Sequence, residues 1–235
     1  MPDINSLTYR GYAVQDLCKK CIFEEVAYLV LNGELPNKIQ LNKFKKQLEK
    51  NRNITINLRE IIKLIPKKSH PMDVARTVVS VMGLEDKETN NNSPEANRRK
   101  AIRIFAKTPT AIAAFFRARK NKNIISPKKK LSFSQNFFHM CFGKIPNEKI
   151  VKAFDVSLIL YAEHSFNVST FTARTITSSL SDIHGAITGA IASLKGPLHG
   201  GANEEVMLMM GKIKKPENAL KWINTALDNK NVVMG

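Results

Sequence analysis

Three of the five histidines lie within residues 161–206, and one of them, His199, is where an imidazole could take part in chemistry. Gly196-Pro197 ends the apolar helical run before it, and a new helical run opens at Ala202, just after Gly200-Gly201. His199 is therefore expected at or near a helix N-terminus, where unpaired N–H groups and the helix dipole disfavour an imidazolium. A neutral ring near pH 7 can donate one hydrogen bond, and the same helix end attracts anions.

The histidines also have plainer interpretations. His199 could be a turn histidine with no chemical role. His164 follows the apolar run 156–161, and this spacing favours a core histidine whose ring nitrogens are satisfied by hydrogen bonds. His184 and His139 are expected to be ordinary helix-face residues.

Two stretches, one with His164 and one with His199, resemble the signature of the citrate synthase family. They are YAEHSFNVSTFTAR at 161–174, closest in form to the 2-methylcitrate synthase branch, and SLKGPLHGGANEEVM at 193–207. Other similar stretches follow the family order: LTYRGYAVQDL at 7–17, FEEVAYLVLNGELP at 23–36, SHPMDVART at 69–77 and FGKIPNEKIVKAFDVSLILYAEH at 142–164. Several long motifs in one order, over nearly the whole chain, make this far more specific than a single short motif.

The resemblance implies roles for individual residues. His199 corresponds to the family's catalytic histidine, which stabilises the enol or enolate of the acyl-CoA, and a neutral ring suits that role. His164 corresponds to a histidine that binds the carboxylate or carbonyl of oxaloacetate, with Asn167 beside it. Ser169 is the candidate to orient His199, and Asn203 is a further supporting position.

The resemblance also implies an activity and partners. The expected enzyme is an acyltransferase that condenses propionyl-CoA or acetyl-CoA with oxaloacetate and releases free CoA, giving 2-methylcitrate or citrate. Arg10, in YRGY, corresponds to a position that approaches the CoA phosphates. Helices rich in Ala and Gly, such as 182–194, would stack across the two-fold axis of a homodimer. The CoA thioester is a substrate, and no metal or redox cofactor is expected.

The chain departs from the family in its length. Family members continue past 230–235 into a GHxxY segment with a second catalytic histidine, then to an aspartate that removes the α-proton and arginines that hold oxaloacetate. We therefore expect the 235 residues to be a fragment or truncated product of a longer synthase, inactive alone. The alternative is a non-catalytic homologue that keeps the dimer scaffold and binds a partner or only the dicarboxylate. A reading frame that continues past Gly235 into a GHxxY segment, an aspartate and arginines would favour the enzyme, and an immediate stop codon would favour the scaffold.

Composition restricts the class of protein. With 43% hydrophobic residues the chain can bury a substantial core, in one or two domains. Three cysteines are too few for a disulfide framework, and Cys18 and Cys21 form a CxxC with no second pair to complete a metal site. These thiols, the absence of a spanning apolar run and the lack of a signal-peptide core predict a cytoplasmic protein without a membrane anchor.

The net charge of +17 predicts a positive field that attracts anions such as CoA phosphates. The densest basic cluster, 117–130, lacks interleaved exposed aromatics and any nucleic-acid-binding signature. It is therefore expected to be a solvated loop, with no nucleic acid as partner.

Apolar periodicity predicts helices almost throughout. They are expected at 22–32, 38–50, 57–65, 71–84, 95–106, 109–119, 132–142, 148–163, 169–179, 182–194 and 202–212, with a last helix from Pro216. No strand or hairpin is expected, so the class is all-α. Residues 85–94 are expected to be a mobile loop, and the methionines of 202–212 to pack in a core. By resemblance, 1–195 belong to a large multi-helical domain and 196–235 begin a smaller, incomplete one.

Overall fold

The computed structural model describes residues 7–164, 166–231 and 233, and only the backbone of residues 202 and 203. Within these residues the fold is all-α apart from one short hairpin, which confirms the predicted class. The helices are α1 Val14–Lys20, α2 Phe23–Asn32, α3 Lys38–Asn51, α4 Ile56–Leu64, α5 Pro71–Glu85, α6 Pro94–Ala118, α7 Phe133–Phe142, α8 Glu148–Leu160, α9 Val168–Ser178, α10 Ile183–Leu194, α11 Ala202–Ile213 and α12 Ala219–Asp228. A 3-10 turn, Pro216–Asn218, precedes α12.

Local capping contacts mark the starts of several helices. Asn37, Asn147 and Asp182 cap α3, α8 and α10, because each side chain accepts a hydrogen bond from a backbone N–H of the first turn. His70 does the same at the start of α5, where Pro71 occupies the first helical position. These short-range contacts define where the helices begin without help from tertiary packing.

The hairpin contradicts the expectation of no strand. β1 (Thr8–Tyr9) pairs antiparallel with β2 (Tyr12–Ala13), and the two connecting residues, Arg10 and Gly11, have φ angles of 51° and 89°. Positive φ at both central residues matches the twist of short hairpins. The strands are too short to show alternation, and Arg-Gly is a weaker turn signal than Asn-Gly.

Tyr9 attaches this hairpin to the rest of the fold. Its ring is buried, and its hydroxyl lies 2.9 Å from the carbonyl oxygens of Ile159 and Leu160 at the end of α8. The helix predicted at 148–163 ends earlier, at Leu160, and the next helix, α9, begins at Val168.

Pro109 lies inside helix α6. The sequence predicts two helices divided at this proline, but α6 continues through it. Proline removes one backbone hydrogen bond and disfavours a helix interior. Here Ala106 before the proline and Thr110 and Ala111 after it are all buried, so packing on both sides outweighs the local penalty.

Two apolar clusters form most of the core. The first joins the hairpin, α1, α2, α3, α6 and α8 through Tyr9, Val14, Leu17, Phe23, Val26, Ala27, Leu29, Phe44, Leu48, Ala106 and Ile159. The second joins α4, α5 and α6 through Leu58, Ile62, Val74, Val78, Met82, Ala111, Ala114 and Phe115, with Ile54 just before α4. Full burial of one such large side chain stabilises the fold by about 1.5–3 kcal/mol.

Helix α10 lies between α9 and α5, and glycines allow its close approach to both. A Cβ added at Gly189 would collide with the Ile176 side chain of α9. A Cβ added at Gly83 of α5 would lie 2.9 Å from Cβ of His184. The absence of a side chain at these two positions permits the close packing, which places α9 and α10 side by side.

The loop between α5 and α6, expected to be mobile, is fixed by buried charge. Lys100 is 0% exposed, and its Nζ donates to the carbonyl oxygens of Thr89 at 3.0 Å and Asn91 at 2.8 Å. Arg103 donates to both carboxylate oxygens of Asp86, at 2.7 and 2.8 Å. Both cations belong to helix α6, so the loop is tied to the core.

His184 and His139 are buried, which contradicts the expectation of ordinary helix-face residues. His184 is 2% exposed, and its Nε2 lies 3.6 Å from a carboxylate oxygen of Asp86. Burial lowers the pKa of His184, although the charges of Asp86 and Asp182 act to raise it. Burial also lowers the pKa of His139. The periodicity of apolar residues in α7 and α10 does not reveal that neighbouring elements cover the helix faces that carry these histidines.

The methionines of α11 differ from the expectation of a core position. Met207 and Met210 are 71% and 56% exposed, so they do not belong to a core within the described residues. The described residues also include no helix that could serve as a membrane span.

Candidate active site

His199 lies in the turn between α10 and α11, before Gly201, the N-cap of α11, as the sequence predicts. The ring is half-buried, and its backbone N–H donates to the carbonyl oxygen of Gly196 at 3.0 Å. Glycine is needed at position 200, because a Cβ there would collide with the carbonyl oxygen of Leu194. The glycines around the histidine therefore permit a tight reversal of the chain.

The imidazole of His199 contacts Ser169, in the first turn of α9. Its Nε2 accepts a hydrogen bond from the backbone N–H of Ser169 at 3.2 Å and lies 2.7 Å from the Ser169 hydroxyl oxygen. A backbone N–H always carries its proton, so Nε2 must present a lone pair to accept it. The ring is then neutral, with its proton on Nδ1.

The Ser169 hydroxyl also lies 3.0 Å from the carbonyl oxygen of Ala190 in α10. The hydroxyl has one proton and two acceptors within reach. Two lone pairs that face each other at the shorter distance would repel, so the proton is best placed towards His199. Ser169 thus supplies two donors to one nitrogen and links α9, α10 and the turn.

The other nitrogen of His199, Nδ1, has no hydrogen-bond partner in the described part of the chain. Because the ring is only half-buried, an Nδ1–H group is available to a ligand. A neutral donor of this kind stabilises negative charge that develops on a carbonyl oxygen. This is the chemistry that the arrangement can perform.

Asn167 serves as the N-cap of α9. Its Oδ1 accepts from the backbone N–H of Thr170 at 2.8 Å, which leaves the Nδ2 amide without a hydrogen-bond partner among the described residues. The same cap sets the position of Ser169 in the first turn. Asn167 and Ser169 therefore lie together at the start of α9.

His164 is exposed, which removes the interpretation of a core histidine. Its ring lies against Tyr161, with 6.1 Å between the ring centroids. No hydrogen bond joins it to His199 in the residues that the structure covers. The side chain of Asn203, the further supporting position, lies outside the described residues.

Arg10 is exposed at the tip of the hairpin. Its guanidinium donates to the carbonyl oxygen of Val30 at 3.2 Å, near the end of α2, where a cation is favoured by the helix dipole. This contact gives Arg10 a structural task, and a role towards CoA phosphates stays a prediction.

The start of α5 also reaches this site, which the sequence does not reveal. His70 Nε2 lies 3.0 Å from a carboxylate oxygen of Glu204, and Asp73 accepts from Lys195 Nζ at 2.7 Å. The hydrogen bond from Lys195 holds the pKa of Asp73 below its usual range. His70-Pro71 indicates a helix start, but no local signal indicates contacts across 134 and 122 residues.

The described residues offer little for metal or thiol chemistry. No three His, Cys, Asp or Glu side chains in this part of the chain converge as metal ligands would. Cys18 and Cys21 are free and half-buried, and burial raises the pKa of both thiols.

Sequence comparison with known proteins assigns the chain to a family. The family model for the citrate synthase C-terminal domain matches residues 2–235. The 2-methylcitrate synthase 2 of Corynebacterium glutamicum is 52% identical, with 100% of this chain and 63% of that protein covered. The citrate synthase of Mycolicibacterium smegmatis is 48% identical, with 100% and 62% covered. The chain thus spans less than two thirds of the length of these curated relatives.

Solved structures agree with the sequence comparison. The citrate synthase of Thermotoga maritima is similar with a TM-score of 0.84 and 37% identity, over 98% of this chain and 60% of that one. The citrate synthase of Thermoplasma acidophilum, in ternary complex with carboxymethyl coenzyme A and oxaloacetate, has a TM-score of 0.87 and 29% identity, over 95% and 59%. The His199 turn, the fold and these matches together show that the chain belongs to the citrate synthase family.

Proposed function

We propose that this chain is the whole or a part of an acyltransferase that condenses propionyl-CoA or acetyl-CoA with oxaloacetate and releases free CoA. Family membership and the names of the relatives support the reaction class. The observation that carries the proposal is the pairing of His199 with Ser169, which leaves an Nδ1–H donor open to a ligand.

The chemistry of His199 follows from this pairing. Removal of a proton next to a thioester places negative charge on the thioester oxygen, and an Nδ1–H donor would stabilise that charge. One such donor contributes about 10²–10³-fold to kcat in related acyl chemistry. His199 acts as the donor rather than the base, because its Nε2 lone pair is already occupied by Ser169.

We assign oxaloacetate to the segment before α9. His164 is exposed there, and the Nδ2 amide of Asn167 can donate to a carboxylate or carbonyl oxygen. Arg10 is the candidate for contact with CoA phosphates, with Asn203 in support of the turn. The proposal requires no metal or redox cofactor, since the CoA thioester itself is a substrate.

We further propose a homodimer. None of the residues of α9 is buried, because α10 covers only one side of that helix. Phe171 of α9 is 70% exposed. A second copy that packs against α9 and the Ala- and Gly-rich α10 would remove this apolar surface from water.

We also propose a domain boundary between residues 195 and 196, at the turn before α11. We further propose that the protein is cytoplasmic, because free thiols persist in that compartment.

Oxaloacetate-dependent release of free CoA by the protein expressed from its complete reading frame, followed with a thiol reagent for both acyl-CoA substrates, tests the reaction. His199→Ala should lower kcat by about 10²–10³-fold. Ile39→Ala, at an exposed position of α3, is the control and should leave the rate unchanged. Equal rates for His199→Ala and the unsubstituted protein would reject the role of His199. Oxaloacetate binding in calorimetry without any CoA release would instead favour the non-catalytic dicarboxylate-binding scaffold.

A further inference from the structure

We propose that His70 and Asp73, at the N-cap and in the first turn of α5, are positioning residues for His199. Each one fixes one flank of the turn that carries the imidazole, so that Nε2 stays in reach of Ser169. This inference deepens the proposed function and rests on it for its catalytic meaning. The structural part rests on two contacts alone, His70 with Glu204 and Asp73 with Lys195, which we call the bracket.

Asp73 fixes the flank that precedes the turn. One carboxylate oxygen accepts from Nζ of Lys195, the C-cap of α10, at 2.7 Å, and the other lies 2.9 Å from the guanidinium of Arg76. Two cations therefore share one carboxylate, with Arg76 on the same helix and Lys195 across the gap. The contact attaches the end of α10 to the start of α5.

His70 fixes the flank that follows the turn. Its Nδ1 accepts from the backbone N–H of Met72, so in the neutral ring the proton is on Nε2. Nε2 then donates to the carboxylate of Glu204, 3.0 Å away in the first turn of α11. This hydrogen bond forms without any positive charge on the imidazole, and a charged acceptor makes it stronger than a neutral pair.

The two contacts act on one short segment. His199 lies between Lys195 and Glu204, and its Nε2 has to meet the donors of Ser169 on α9. Exposed ion pairs contribute little to folding stability. The expected effect of losing one is therefore on the position of the turn and not on whether the protein folds.

Hydrogen exchange and imidazole NMR on the full 235-residue chain test the bracket. His70→Asn keeps an N-cap for α5 but cannot reach Glu204, and Glu204→Ala removes the same contact from the other side. Each should speed exchange of the His199 amide by about 3–10-fold, as expected for loss of local structure. The double variant should add little to either single one. Asp73→Asn should act similarly, and Lys195→Arg should preserve protection.

Glu205→Ala is the matched control, because Glu205 is exposed in the same helical turn and its side chain makes no hydrogen bond or ion pair in the described part of the chain. The ¹⁵N resonances of His199 provide a readout that general stability would not move. The unsubstituted chain should show a single tautomer with the proton on Nδ1, and the bracket variants should show a mixture.

Exchange rates within twofold of the unsubstituted chain and an unchanged tautomer in both His70→Asn and Glu204→Ala would overturn the bracket. Neither measurement depends on enzymatic activity. If exchange and tautomer change as expected, while the unsubstituted protein expressed from its complete reading frame releases no CoA, the proposed function fails and the bracket stands. Should His70→Asn not fold, Glu204→Ala tests the same contact without altering the cap of α5.

Discussion

One serine supplies two donors to one imidazole nitrogen. The backbone N–H of Ser169 lies 3.2 Å and its hydroxyl oxygen 2.7 Å from Nε2 of His199, although the residues are 30 positions apart. The backbone donor does not depend on the side chain, whereas the hydroxyl does. Substitution at position 169 can therefore separate the two contributions.

Ser169→Ala removes only the hydroxyl donor. We expect kcat for CoA release to fall about 2–12-fold, because a typical hydrogen bond contributes about 0.5–1.5 kcal/mol. KM for oxaloacetate should stay the same, since Ser169 orients His199 and is not assigned to the substrate. Ser169→Thr keeps the hydroxyl and serves as the control. An unchanged kcat in Ser169→Ala would show that the backbone N–H alone holds the ring.

Gly83→Ala should destabilise the contact between α5 and α10. The added methyl would lie 2.9 Å from Cβ of His184, which is close to the backbone and cannot rotate away. Overpacking of this kind costs about 1–3 kcal/mol in the free energy of unfolding. Gly211→Ala, in α11, meets nothing within 4 Å and should instead stabilise its helix by about 0.5–1 kcal/mol. Urea unfolding of both variants would measure the difference, and equal effects would contradict the close packing.

Folding stability should fall as the pH drops below about 6.5, the ordinary pKa of histidine. Burial lowers the pKa of His184 in the folded chain, so below that pH the unfolded chain binds a proton that the folded chain does not. The free energy of unfolding then decreases by up to about 1.4 kcal/mol per pH unit until the folded pKa is reached.

Urea unfolding of His184→Gln between pH 7.5 and 5 tests this dependence. Glutamine does not titrate, so the slope should be smaller than in the unsubstituted chain, whatever the change in absolute stability. Burial lowers the pKa of His139 as well, and His139→Gln provides an independent second case. Identical slopes in all three proteins would mean that neither histidine is kept neutral by the fold.

Cys141 should be the slowest thiol to react. Burial raises its pKa to about 11, whereas Cys18 and Cys21 are half-buried. The thiolate is the reactive form, and at pH 8 only about one Cys141 in a thousand would carry it. Alkylation at pH 8 followed by mass spectrometry should modify Cys18 and Cys21 first. In urea all three should react alike, and rapid labelling of Cys141 without denaturant would contradict its burial.

The sequence predicts those parts of the fold that short-range chemistry decides. The predicted starts near 38, 71 and 148 are correct, because Asn37, His70 and Asn147 cap these helices through backbone N–H groups only a few residues away. His199 is predicted at a helix start for the same reason, from the glycines and proline around it, and it lies there.

The features that the sequence does not predict depend on distant partners. Pro109 stays helical because α6 is packed on both sides of it, and His184 is buried because α5 and Asp86 cover it. The contacts of His70 and Asp73 with Glu204 and Lys195 exist only once α5, α10 and α11 are in place. Ser169 is suggested by resemblance, and only the packing of α9 beside α10 explains how it reaches His199.

The ammonium group of Lys100 limits changes in the length of the loop between α5 and α6. Loops on protein surfaces usually tolerate insertions and deletions. Here the loop's carbonyl oxygens at Thr89 and Asn91 are the hydrogen-bond acceptors of a lysine with no access to water. One residue more or fewer would leave that cation buried without its acceptors, so this connection should be as constant in length as the helices it joins.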